Sequence, residues 1–177
     1  MPKSLWPRVQ EMLVDQIQSI DQGSPVDFRN FMAAVIDRKS FDKIRGYIDH
    51  AKADNQCEVL AGGEYDDAKG YFVKPTIIVV KDATYRSMTE EIFGPVLQMV
   101  RAADFEEAVR LPSEHEYGNG VAIFTRNGHA AREFVSRVNV GMVGVNVPIP
   151  VPVSYHSFGG WKRSGFGDIG QYGQEGL

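Results

Sequence analysis

The chain has 177 residues, 43% of them apolar and 24% charged, with a formal net charge of −4. A chain of that length buries about 70% of its unfolded surface, so an ordinary core in one domain, residues 1–177, is expected. Scattered Lys and Arg argue against a nucleic-acid partner, the lack of any apolar run of about 18 residues argues against a membrane span, and a lone cysteine, Cys57, excludes an internal disulfide and a cysteine-based zinc site.

The start, "MPKSLWPRVQ", has no apolar h-region and does not read as a secretion signal. Trp6, Val9, Leu13, Ile17 and Ile20 recur at helical spacing and predict a helix over 4–20, with Ser4 as its cap and Pro7 in its first turn. "DQGSPVDFRN" reads as a turn-rich link. A second helix is predicted from Ser40 to about Ala53, with Phe41, Ile44, Ile48 and Ala51 facing inward. "CEVLAGG" is a short strand stopped by glycines. The β-branched run Thr76–Val80 is dense enough for a buried strand, and "PVLQMVRA" is another. "DFEEAVRLP" predicts a helix capped by Asp104 and ended by Pro112. "GVAIFT", "HAAREFVSRV" and "VGMVGVNV" then read as strand, helix and strand.

That alternation predicts an α/β fold: a mostly parallel sheet with helices on both faces. The last thirty residues lack periodicity. Prolines 148, 150 and 152 deny the segment a central strand, and a long irregular stretch after a parallel sheet is often a functional loop.

Few residues recommend themselves for chemistry on spacing alone. Glu90 and Glu91 precede a Gly-Pro break. As neighbours they diverge and cannot share a proton, although one of them could accept the two hydroxyls of a ribose; a solvated acidic turn is the plainer reading. Cys57 has Asn55, Gln56 and Glu58 around it, none of them the neighbouring cation that a nucleophilic thiol needs, so a packing residue at a strand start is the plainer reading. Histidines 50, 115, 129 and 156 are scattered, without metal-ligand spacing. Ser157 and Ser164 do not sit in a G-x-S-x-G elbow. Gly165, Gly167 and Gly170 match G-x-G-x-x-G, but "SFGGWKR" before them is not an apolar strand. The match reads better as backbone that needs glycine for close approach or positive φ than as a phosphate cradle.

Taken together, "EEIFGPV" at 90–96 and "FGGWKRSGFG" at 158–167 resemble the aldehyde dehydrogenase superfamily, supported by "GYFVKPTII" at 70–78 and "GVNV" at 144–147. Residues 4–97 resemble 1-pyrroline-5-carboxylate dehydrogenases, and residues 98–177 resemble methylmalonate-semialdehyde dehydrogenases. The resemblance implies part of the catalytic domain, with the coenzyme domain absent. It implies that Glu91 holds the nicotinamide ribose of NAD and that Phe93 lies against the nicotinamide ring. It also implies that Phe158 and Gly159 line the aldehyde pocket and that Asn146, with the proline loop after it, shapes the mouth.

The family's F-x-x-x-G-Q-x-C nucleophile stretch and E-L-G-G base stretch are not in this sequence. "SLWP" at 4–7 matches the region shortly after the nucleophile, so the chain is expected to start just past it. No catalytic residue is assigned, and Cys57 does not inherit the role. The resemblance implies a small-aldehyde substrate, a homo-oligomeric parent, and a cytoplasmic location or, in a eukaryote, the mitochondrial matrix. For this chain alone it implies weak or no NAD binding and a tendency to self-associate through apolar surface. A non-catalytic scaffold is the alternative.

Overall fold

The computed structural model describes residues 4–167, 170 and 172–176. The chain divides into two compact units, residues 1–101 and 102–177.

The first unit opens with α1 (Trp6–Gln18). Its N-cap is Leu5 rather than Ser4, no side chain caps it, and Pro7 occupies the first turn. The predicted stripe faces inward but is only half-buried. Helix α2 (Arg38–Ala53) starts two residues before the predicted point because the Asp37 carboxylate accepts the Ser40 N–H at 2.7 Å. That bond is the main reason why the Asp37 carboxyl sits below the usual range.

Strands β1 (Cys57–Ala61), β2 (Tyr65–Asp66), β3 (Phe72–Val73) and β4 (Thr76–Val80) follow. Helix α3 (Arg86–Thr89) then leads through a turn to β5 (Val96–Val100). β4 pairs with β5 in parallel, Thr76 opposite Val96 through Val80 opposite Val100. β1 adds antiparallel on the other edge of β4, so the sheet is mixed, and β2 and β3 form a separate antiparallel ribbon. Phe41, Ile44, Tyr47 and Ile48 of α2 pack with Val73 and Ile92. Ala51 packs with Ile78 and Val80. Each fully buried Ile or Phe stabilises the fold by roughly 1.5–3 kcal/mol.

The second unit contains α4 (Phe105–Glu114), β6 (Tyr117–Gly118), β7 (Gly120–Ile123), α5 (Gly128–Arg137), β8 (Met142–Val145), β9 (Trp161–Lys162) and a short 3-10 turn (Gly173–Gly176). Asp104 caps α4 through the Glu107 N–H at 2.8 Å, while Pro112 lies inside the helix, which runs on to Glu114. β7, α5 and β8 form a parallel β-α-β unit, Gly120 opposite Met142 through Ile123 opposite Val145. Its core joins Val109, Phe134, Val138 and Val140, with Phe105, Val121, Ile123 and Val143 packed around them. β6 and β9 form an antiparallel ribbon.

Candidate functional site

Residues 90–94 form an extended turn between α3 and β5, and alternation sorts its side chains. Ile92 is buried against α2, and Gly94 lies so close to Ile44 that a Cβ there would overlap its side chain. Glu91 and Phe93, one position out of phase, point outward. Phe93 is 85% exposed and holds φ at +57°, a left-handed conformation that a side chain of this size rarely adopts.

The two carboxylates, both exposed, differ in their partners. Glu90 accepts from the Tyr47 hydroxyl and from Arg86 Nε at 2.9 Å, and the Arg86 guanidinium lies 4.6 Å from the centre of the Tyr47 ring. The Tyr47 hydroxyl, then Arg86, hold the Glu90 carboxyl below its usual range. Glu91 is exposed, and among the described residues it makes no hydrogen bond or ion pair.

In the second unit Asn146 follows the C-terminal end of β8, the end at which open α/β sheets receive ligands. It too is left-handed, with φ at +58°. Its side-chain amide is already engaged: Oδ1 accepts the Thr125 N–H at 2.9 Å and Nδ2 donates to the Thr125 carbonyl at 3.1 Å, extending the β7–β8 ladder. The proline loop beyond it exposes Ile149, Val151 and Val153 and contains no strand.

Phe158 is half-buried and stacks on Tyr172, ring centres 4.8 Å apart. Gly159 is exposed, and a Cβ there would meet nothing within 4 Å, but its carbonyl oxygen lies where a Cβ on Gly141 would fall. A Cβ on Gly165 would overlap the Gly160 carbonyl, and one on Gly160 would approach Ser164 within 2.6 Å. These glycines therefore serve close backbone packing, and Gly167 supplies a positive φ of 73°. Asp168 and Ile169, inside the G-x-G-x-x-G match, lie outside the described residues.

Sequence reasoning missed Lys162. It holds φ at +56°, and its Nζ donates to the carbonyls of Pro112 and Ser113 at 3.0 and 3.1 Å, fastening the 158–165 segment to the end of α4. Burial lowers the pKa of its amine. The Ser164 hydroxyl accepts from the Gly118 N–H at 3.0 Å and secures the same segment. The three non-glycine residues with positive φ among those described, Phe93, Asn146 and Lys162, all fall in or beside segments that carry the family motifs. Backbone strain of this kind concentrates at functional sites.

Cys57 lies half-buried at the start of β1, packed against Ala51, Ile78 and Val80. Its thiol neighbours the Tyr85 hydroxyl, whose pKa is driven well above its ordinary value, first by burial and then by Cys57 and Asp54. These are the surroundings of a packing residue. Among the described residues no group of three or more His, Cys, Asp or Glu side chains could hold a metal ion. No helix among them is long and apolar enough to cross a membrane.

Comparison with known proteins decides the family, because the profile of the Aldehyde dehydrogenase family matches residues 1–177. The chain belongs to the aldehyde dehydrogenase family. A relative, the malonate-semialdehyde dehydrogenase of Pseudomonas aeruginosa, is 46% identical over 171 residues, which cover 93% of this chain and 34% of that protein. The mitochondrial delta-1-pyrroline-5-carboxylate dehydrogenase of Dictyostelium discoideum is 47% identical over 116 residues, 64% of this chain and 21% of that protein.

Among solved structures, one described as a methylmalonate-semialdehyde dehydrogenase from Sinorhizobium meliloti, complexed with NAD, superposes with a TM-score of 0.92 at 41% identity. It covers 99% of this chain and 36% of that one. The methylmalonate-semialdehyde dehydrogenase of Oceanimonas doudoroffii gives 0.89 at 43% identity, covering 96% and 35%. The chain thus has the aldehyde dehydrogenase fold and spans about a third of the length of the curated relatives that it matches. Homologues bearing both of the names expected from the sequence are found.

Proposed function

We propose that this chain supplies the nicotinamide-facing turn and the aldehyde-facing loop of an NAD-dependent aldehyde dehydrogenase acting on a small semialdehyde. The observation that carries the proposal is the turn at 91–93: a free carboxylate and a strained aromatic, presented outward side by side from a buried anchor. A carboxylate so placed accepts hydrogen bonds from two adjacent ribose hydroxyls, and an exposed aromatic face packs on a nicotinamide ring. In the second unit, Phe158 and the apolar proline loop offer the surface that a small aldehyde needs, while Asn146 and Gly159 set the backbone course beside it.

The reaction of such an enzyme runs through a cysteine thiolate that attacks the aldehyde carbon, hydride transfer to NAD, and release of the resulting thioester to water or a thiol. Malonate, methylmalonate and glutamate semialdehydes are the substrates suggested by the relatives' names. No residue of this chain is assigned the nucleophile or the base, so the 177 residues are expected to give no turnover. Aldehyde-dependent NADH formation by the purified chain tests this. Robust turnover that Cys57→Ala abolishes would overturn it.

A further inference from the structure

Nothing in the reading of Glu91 and Phe93 explains why their turn holds a left-handed phenylalanine in the open. Exposed loops ordinarily relax such strain. The restraint comes from the inner side of the turn. Tyr47 is 6% exposed and sits on the inward face of α2, in the same cluster as Phe41, Ile44 and Ile48. Its hydroxyl is therefore a fixed point. Glu90 closes α3, its N–H donating to the Arg86 carbonyl at 3.0 Å, and its carboxylate is held by that hydroxyl and by Arg86 Nε. Arg86 is itself stacked on the Tyr47 ring, so the three side chains form a closed triangle. On the far side of the strained residue, Ile92 is buried and Gly94 abuts Ile44. The turn is tied to α2 at positions 90, 92 and 94, through the half-exposed Glu90, the buried Ile92 and the close approach of Gly94 to Ile44, whereas the exposed Glu91 and Phe93 have no such tie.

We propose that Tyr47 and Arg86, acting through Glu90, are positioning residues that hold the outward turn of Glu91 and Phe93 in its presenting geometry before any nicotinamide nucleotide arrives. This rests on the cofactor reading of Glu91 and Phe93. It adds that the first of the paired glutamates is a structural anchor and the second the ligand contact. A ligand that meets a pre-set carboxylate and ring does not spend binding energy on ordering them.

The experiment is backbone NMR of the full 177-residue chain and of Tyr47→Phe, Glu90→Gln, Arg86→Gln and Arg86→Lys. Tyr47→Phe keeps the buried ring and removes only the hydroxyl. In the wild type, amide order parameters at 91 and 93 should match rigid backbone, about 0.85, and in Tyr47→Phe and Glu90→Gln they should fall toward about 0.6 while α2 stays rigid. Arg86→Lys, which keeps the charge, should recover order that Arg86→Gln loses. Unchanged order at 91 and 93 in both Tyr47→Phe and Glu90→Gln would overturn the proposal.

Titration with nicotinamide mononucleotide separates the two readings. Wild-type amides of Glu91 and Phe93 should shift, with Tyr47→Phe binding about fivefold more weakly, the equivalent of about 1 kcal/mol. Equal affinity in the two proteins would overturn the positioning role. A wild type that does not respond would instead count against the cofactor reading, with the order parameters still deciding the role of the triangle.

Discussion

The two motif segments, 90–94 in the first unit and 158–165 in the second, are fixed by different physics. The first is held by side chains: an ion pair and a tyrosine hydroxyl on Glu90, a buried Ile92, and a glycine that makes room for Ile44. The second is held backbone against backbone, with Gly141 facing the Gly159 carbonyl and Gly165 facing that of Gly160, and is locked by one lysine on two helix carbonyls. Side chains can rotate and ion pairs can be screened, so the first turn can loosen by degrees. Packed carbonyls cannot move aside without moving the chain, so the second should fail abruptly.

The sharpest way to break that contrast is to add single methyl groups in the second unit. Gly141→Ala and Gly165→Ala each place a carbon on a carbonyl oxygen and should each cost about 3 kcal/mol. Gly159→Ala meets nothing within 4 Å and should stay within about 0.5 kcal/mol of wild type. Denaturant unfolding followed by Trp161 fluorescence in a Trp6→Phe background reads the second unit separately. Equal costs at the three positions would dissolve the distinction.

A smaller effect is expected at the first turn. Gly94→Ala should cost about 1–2 kcal/mol because it collides with a side chain rather than with backbone. Ile44→Val alone should cost about 1 kcal/mol. The double variant should be more stable than the sum of the two losses, since valine lacks the terminal methyl that the new Cβ meets. Strict additivity would mean that the two residues do not share the space.

Acid gives the smallest and most selective effect. The Glu90 pKa is lowered in the folded chain from an ordinary 4.5, so its contribution is fully present above that value and is lost as pH falls through the folded value. The stability gap between wild type and Glu90→Gln should therefore be widest near neutral pH and close below pH 4.5. A gap that does not change with pH would show that the carboxylate's charge does not hold the turn.

Much of this was legible in the sequence where the signal is local. The β-branched run gave Thr76–Val80 its strand, and helical spacing placed Phe41, Ile44, Ile48 and Ala51 in the core. Asp104 was readable as a cap because an acidic residue before an apolar period has few other uses. Asp37 caps α2 through the Ser40 N–H with the same three-residue spacing, but the basic Arg38 and Lys39 stand between it and the apolar period that begins at Phe41. The two-residue strands β2, β3, β6 and β9 are too short to show a period. The anchors of the candidate sites were hidden for another reason: their partners are distant. Tyr47 reaches Glu90 across 43 positions, and Lys162 reaches Ser113 across 49. Nor does residue type announce positive φ at Phe93, Asn146 or Lys162, since only glycine does that reliably. The motifs marked where strain would be found, but not what restrains it.

Saturation-transfer NMR with NAD on the 177-residue chain asks most directly whether the turn at 91–93 faces the coenzyme. Magnetisation should reach the nicotinamide ring and its ribose in preference to the adenine, and Phe93→Ala or Glu91→Gln should abolish it. Saturation strongest at the adenine, or surviving unchanged in both variants, would contradict the assignment.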